Sequence, residues 1–291
     1  GSSWQRTEAD TAVRVIVRSE GGRASAHPTN ASRGVLAVVR GAVGRFAIAP
    51  PVLAGLLAAL LFIVSAFVSI HLIHHSYGSN ALDLGLFAQS LKSTLEGRLL
   101  FHTIGGLSHL AYHFSPVLLL LVPVYWAFPH CETLLVVQSL TMGVSAYLIY
   151  LLARAHGIDS SRSLLLELLF VANPMVWGVL LFDFHPVVFC VPAVLVAFLG
   201  LARGSRVAFW TGIGLALTTK EDVIVAVGVF GFVLLVVAYL QKRRFDATAF
   251  WVWMLAMLAF SIAVFVSMLA SEGDMPQILT YASVRFNLLR P

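Results

Sequence analysis

Val117-Leu-Leu-Leu-Leu-Val-Pro-Val-Tyr-Trp-Ala-Phe128 is the stretch on which the topology of this chain turns. It is wholly apolar, yet its twelve residues fall short of the roughly 17–25 that a helix needs to cross a hydrocarbon core. Charge supplies a second test, because short cytoplasmic loops carry an excess of Lys and Arg. If the stretch stays on one side, the loops at Arg154–Arg162, Arg203–Arg206 and Lys242–Arg244 all lie with the Arg-rich N-terminus. If it crosses, all three basic loops move outside. The stretch is therefore predicted to rest on, or dip into, the outer leaflet without passing through.

The longer apolar runs then fall into place around it, at about 51–73, 133–153, 163–181, 187–202, 207–219, 223–240 and 247–270. The reading is an all-α integral membrane protein with about seven transmembrane helices. Further surface or re-entrant helices belong to a long first extracytoplasmic loop, residues 74–132. The run 207–219 is short and is expected to end at a water-accessible cavity at Lys220. On this map 14 of the 19 basic residues are cytoplasmic. Eight of the ten histidines, all but His27 and His156, lie outside, an asymmetry not used to draw the map.

Composition agrees with lipid as the solvent. Of 291 residues 59% are hydrophobic and 11% charged, against about 25% charged in an average soluble domain. The net charge of +5 sits in short clusters between apolar runs, which reads as membrane orientation and excludes a phosphate-binding stripe for nucleic acid. Cys131 and Cys190 alone make no disulfide framework. Residues 1–50 carry seven arginines and three acidic residues, with a Gly/Ser/Ala/Pro-rich stretch from Gly21 to Ser32. They read as a partly flexible cytoplasmic tail ending in an interfacial helix from Val35 to Ala49. Residues 51–270 form the membrane domain, and 271–291 an extracytoplasmic end. The opening Gly1-Ser2-Ser3, without Met, reads as a trimmed edge, and no signal peptide is evident before the first apolar run.

Three polar sites are expected outside. In the first, Leu84, Phe87, Leu91 and Leu95 recur at helical spacing with Gln89, Ser90, Lys92 and Ser93 between them, predicting an amphipathic surface helix. Asp83 opens it. That residue is either an N-cap or a carboxylate general base above the membrane, and the two roles are compatible. The loop continues through His102, His109 and Tyr112-His113-Phe114-Ser115-Pro116. The second site is Phe182-Asp183-Phe184-His185-Pro186, polar groups that must face protein or water. Asp83, His102, His113, Asp183 and His185 could together coordinate a divalent cation, although no local spacing resembles a zinc motif. Interfacial hydrogen bonding is the more frequent role for such histidines. The third site is Thr218-Thr219-Lys220-Glu221-Asp222. It is either a mutually paired cluster at two helix ends, or a lysine for a lipid-linked phosphate positioned by Glu221 or Asp222. Glu167 is expected to snorkel or to pair with Arg162, without a function.

Five strings carry a resemblance: Asp83-Leu-Gly-Leu-Phe-Ala-Gln89, His113-Phe-Ser-Pro116, Asn173-Pro174, Phe182-Asp-Phe-His-Pro186 and Lys220-Glu-Asp222. In this order, over roughly residues 75–240, they resemble the membrane proteins labelled domain of unknown function 2079. That family is in turn distantly similar to C-type multispanning glycosyltransferases, which take a sugar from a polyprenyl-phosphate carrier on the outer leaflet. The segment Gly212-Ile-Gly-Leu-Ala-Leu-Thr-Thr-Lys220 also resembles a stretch of such enzymes.

The resemblance implies Asp83 as the acceptor base and Lys220 beside the carrier phosphate. Gln89, His102, His113, Asp183, His185, Glu221 and Asp222 would line the site. Partners would be the bilayer, the polyprenyl-phosphate-sugar donor, an acceptor and further membrane subunits, at the plasma membrane. Two features depart from the transferases: Asp83 is followed by Leu-Gly where many carry a second acid, and they usually have more spans. The chain is then either shortened or a minimal member. A lipid or solute transporter and a noncatalytic subunit of a membrane assembly are the rival readings.

Overall fold

The computed structural model describes residues 49–75, 82–241 and 247–271, all within the compact unit Ala49–Pro291. The expected tail, its interfacial helix, the loop Lys242–Arg244 and the end beyond residue 271 lie outside the described residues. Their regular structure is helical, apart from one isolated bridge between Phe101 and Ser108, with turns and irregular segments between the helices. Long apolar sequence dictates this, because backbone groups in lipid must find their partners within the segment.

Helix α1 (Pro50–Phe67) runs into a π-helical turn, Val68–His74. In the first loop α2 (Leu82–Leu95) and the short α3 (His109–Tyr112) follow, then a 3₁₀ turn Pro116–Leu121 leading into α4 (Val122–Ala127). After them come α5 (Glu132–Ala155), α6 (Ser160–Val171) and α7 (Pro174–Leu180). A 3₁₀ turn Pro186–Phe189 opens α8 (Cys190–Arg203), and α9 (Arg206–Leu217), α10 (Glu221–Leu240) and α11 (Ala247–Ala270) complete the bundle.

Among the described residues five segments are long and apolar enough to cross a membrane: Pro50–His71, Glu132–Ala155, Pro186–Arg203, Glu221–Leu240 and Ala247–Ala270. A sixth is α6 with α7, bent by 51° at the break between them. The bend has a local cause. Pro174 lacks an N–H and disfavours helical backbone at the residue before it. Asn173 is accordingly extended and caps the new helix, its Oδ1 accepting from Met175 N at 2.9 Å. Of the seven spans expected, five or six are of spanning length among the described residues. The remaining segment, α9, has twelve residues and rises only about 18 Å. Pro116–Ala127 is likewise a short apolar helix, about 20 Å long against a core of about 30 Å. It is pinned to the end of α9, where Val117 N donates to Thr218 O at 3.0 Å.

The amphipathic reading of α2 holds for Leu84, Phe87 and Leu91, which are buried, and not for Leu95, which is 43% exposed. Around them Leu61, Leu118, Leu134 and Phe184 form one core; Ala193, Ala197, Ile213, Ile224 and Ala256 form a second between α8 and α11. Apolar side chains such as Leu60, Ile63, Phe265 and Leu269 point outward, as expected where lipid replaces water. Glu167 neither snorkels nor meets Arg162. It is fully buried, and Arg162 pairs with Asp159 at 3.3 Å.

Candidate functional site

A cavity of about 580 Å³ lies where the first loop meets the ends of α8 and α10. Its wall takes Asp83 and Phe87 from α2, His102, Gly105, His109, Tyr112, His113 and Ser115 from the loop, His185 to Val187 before α8, and Lys220 before α10. Five of the residues singled out in the sequence, Asp83, His102, His113, His185 and Lys220, therefore share one space.

Asp83 sits in the first turn of α2, one residue inside its start, where the helix dipole favours a carboxylate. Its Oδ2 faces His185 Nε2 at 3.4 Å. His185 Nδ1 lies 2.9 Å from Asp183 O, and a carbonyl only accepts, so Nδ1 carries a proton. Nε2 can then meet the Asp83 carboxyl favourably only through a second proton, on the ring or on the carboxyl.

The turn carrying His185 is fixed from below by Gln138 of α5. That side chain is buried; its Nε2 donates to Val179 O at 2.9 Å and Phe182 O at 3.2 Å, and its Oε1 accepts from His185 N at 3.2 Å. At Val179 O, near the end of α7, Gln138 adds to the bond from Phe182 N at 3.4 Å.

On the opposite wall, His113 Nδ1 donates to Glu221 Oε1 at 2.7 Å, and Phe114 N donates to Glu221 Oε2 at 3.0 Å. Glu221 is thus engaged in fastening the loop to α10. Lys220, at the N-cap of α10, pairs with Asp222 at 3.3 Å. The loop between Phe101 and Ser108 is shaped by Gln89, which bonds Thr103 through both ends of its amide at 3.0 Å. Tyr112 Oη donates to Gly105 O at 2.6 Å, and Gly105 N donates to His102 Nδ1 at 3.1 Å. A side chain at Gly105 would strike the Tyr112 ring.

The family described as Predicted membrane protein (DUF2079) matches residues 73–288. The chain belongs to that family. No curated protein and no solved structure matches it. The DUF2079 region takes in the whole cavity wall, from Asp83 to Lys220.

Within this DUF2079 chain, Gln89, Asp183, Glu221 and Asp222 stand behind or beside the cavity wall. Asp183 is buried, on the side of a smaller apolar pocket of about 340 Å³ shared with Gln138 and His185. No group of three or more His, Cys, Asp and Glu among the described residues could hold a metal ion. The cation set of Asp83, His102, His113, Asp183 and His185 is therefore not assembled: Asp183 turns away and His113 is spent on Glu221. The sequence reading passed over Gln138 and left His109 and Tyr112 out of the site. A single glutamine in an otherwise apolar span was the available signal for the first.

Gln138→Leu should take the side-chain partner from two backbone groups, Phe182 O and His185 N, each costing about 1–3 kcal/mol if left buried and unpaired, while Val179 O keeps Phe182 N. The expected result is a lowered thermal midpoint in detergent together with a displaced His185. An unchanged midpoint would make Gln138 a bystander.

Proposed function

We propose that this DUF2079 chain is a membrane glycosyltransferase-like protein, taking a hexose or pentose from a polyprenyl-phosphate carrier. The acceptor is a hydroxyl group on the extracytoplasmic side of the plasma membrane, with the N-terminus cytoplasmic. In the reaction the bond from the anomeric carbon to the phosphate oxygen breaks and the bond to the acceptor oxygen forms. The phosphate keeps the bonding electrons, and the acceptor gives up its proton. The observation that carries the reading is the shared cavity: a carboxylate–imidazole pair and a lysine around one space at the ends of the spans.

Asp83 takes the acceptor proton as general base, and His185, with its own proton held by Asp183 O, passes it on. Lys220 stabilises the departing phosphate by its charge. An apolar groove of about 560 Å³ supports a lipid-borne donor. It runs between α8, α9, α10 and α11 from Cys190 and Asp222 to Leu201 and Leu234, and Asp222 is the residue that pairs with Lys220. A phosphate at Lys220 would therefore have room for its isoprenoid tail alongside.

Lys220→Ala is expected to weaken binding of a polyprenyl-phosphate hexose by about tenfold or more, as loss of a charge-assisted contact does. Equal affinity in a binding titration on the purified protein would make the lysine structural. Glu167 favours a second reading, a transporter. It is the one Asp, Glu, Lys or Arg away from the ends of the described spans, and both its oxygens lack a hydrogen-bond partner among the described residues. Such a group in a span is usually functional. With no second ionisable group of that kind among the described spans to relay a charge, the reading stays second. A noncatalytic role within a larger membrane assembly would leave the cavity but no transfer.

A further inference from the structure

His109 is 3% exposed, and neither ring nitrogen has a hydrogen-bond partner among the described residues. Its neighbours are rings: Phe87 at 5.1 Å, His113 at 5.8 Å and His102 at 6.3 Å between centroids. His102 is 2% exposed. Its Nδ1 accepts from Gly105 N, so in the uncharged ring the hydrogen is on Nε2, and Nε2 has no partner among the described residues. Buried polar groups left unpaired are costly, and native proteins seldom keep two of them side by side without use. Both rings belong to the wall of the 580 Å³ cavity.

The state of the rings decides which ligand. Burial lowers the pKa of His109 to about 3, with His113, His102 and Lys220 acting in the same direction and Glu221 against it. Burial also lowers that of His102. Both rings are then uncharged near neutral pH. An uncharged imidazole presents one donor and one acceptor. Phosphate oxygens mainly accept and are best held by cations, so this wall suits them poorly. Hydroxyl groups donate and accept, and match it. Tyr112 adds to the match, because its hydroxyl hydrogen is committed to Gly105 O and its oxygen is left to accept.

We propose that His102, His109 and Tyr112 form a subsite for an uncharged, hydroxyl-rich group, the sugar of the lipid-linked donor, separate from the phosphate position at Lys220. The assignment rests on the carrier reading above. It divides the cavity by charge, with the lysine rim taking the anion and the histidine wall taking the polyol.

The test compares two probes on the purified full chain in detergent: polyprenyl phosphate, and the same carrier bearing a hexose. The wild-type protein is expected to bind the hexose-bearing probe at least tenfold more tightly. In His109→Phe, which keeps an aromatic ring and removes both nitrogens, that preference should fall to within twofold while affinity for the bare carrier holds. His109→Asn, which restores a donor and an acceptor, should recover part of the preference. If His109→Phe does not fold, His102→Leu carries the same expectation. Binding of both probes with equal affinity by wild type overturns the sugar subsite and leaves the carrier reading standing. Binding of neither overturns the carrier reading and the subsite with it. Retention of the tenfold preference in His109→Phe shows the histidine wall to be packing only.

Discussion

Asp83→Asn is expected to lower transfer from a polyprenyl-phosphate sugar by about 10²–10⁴-fold, the range lost with a general base. Asparagine has nearly the same shape and can still hydrogen-bond His185 Nε2, so the cavity geometry should survive. What disappears is the ability to take a proton. Stability should hardly move, because the Asp83 and His185 side chains are 41% and 38% exposed, and exposed pairs contribute little. The measurement is an initial rate with a thermal midpoint on the same preparation. A rate within a few-fold of wild type, at normal stability, would remove Asp83 as the base.

Gly212→Leu should be the most damaging change to the fold. The antiparallel pair α8 and α9 approaches closely because Gly212 lies against Ala193 and Ala197, and Gly200 against Phe209. A Cβ on Gly212 would collide with Ala193 O and Ala197 N. Those are backbone atoms, so no side-chain rotation relieves the clash, and the cost exceeds the ~1–3 kcal/mol of ordinary overpacking. Separating α8 from α9 would also displace Lys220, which follows the end of α9. The expected outcome is loss of the monodisperse folded species in detergent chromatography. Gly214 is the matched control: it lies on the same helix, and a Cβ there meets nothing within 4 Å. Gly214→Leu should fold normally. Equal behaviour of the two variants would show that close helix approach is not what holds this pair.

The spans were legible because a membrane segment is written as an uninterrupted apolar run. The last, expected at 247–270, is the helix Ala247–Ala270. Length was harder. The run 163–181 reads as one helix by composition, although its Asn173-Pro174 pair was visible and breaks it. Within the candidate site, Asp83, His113, His185 and Lys220 stand out as polar groups in short external strings, and they share the cavity wall. His109 did not stand out. A histidine beside Leu110 and Ala111 looks the same in sequence whether it is packed or presented to a ligand, and only the buried, unpartnered ring distinguishes the two. Glu167 failed for a related reason: Arg162 is near in sequence, but the N-cap carboxylate of Asp159 claims it.

One hydrogen bond ties the first loop to α11. Ser267 Oγ, near the end of α11, donates to Ala111 O at 3.0 Å, and Ala111 belongs to the short helix that carries His109. The loop is made early by the ribosome and this fastening arrives late. Until α11 has been inserted, the helices made before it stand without this tie to the histidine wall. The brace on the helix that carries His109 is therefore supplied only once Ser267 has been made.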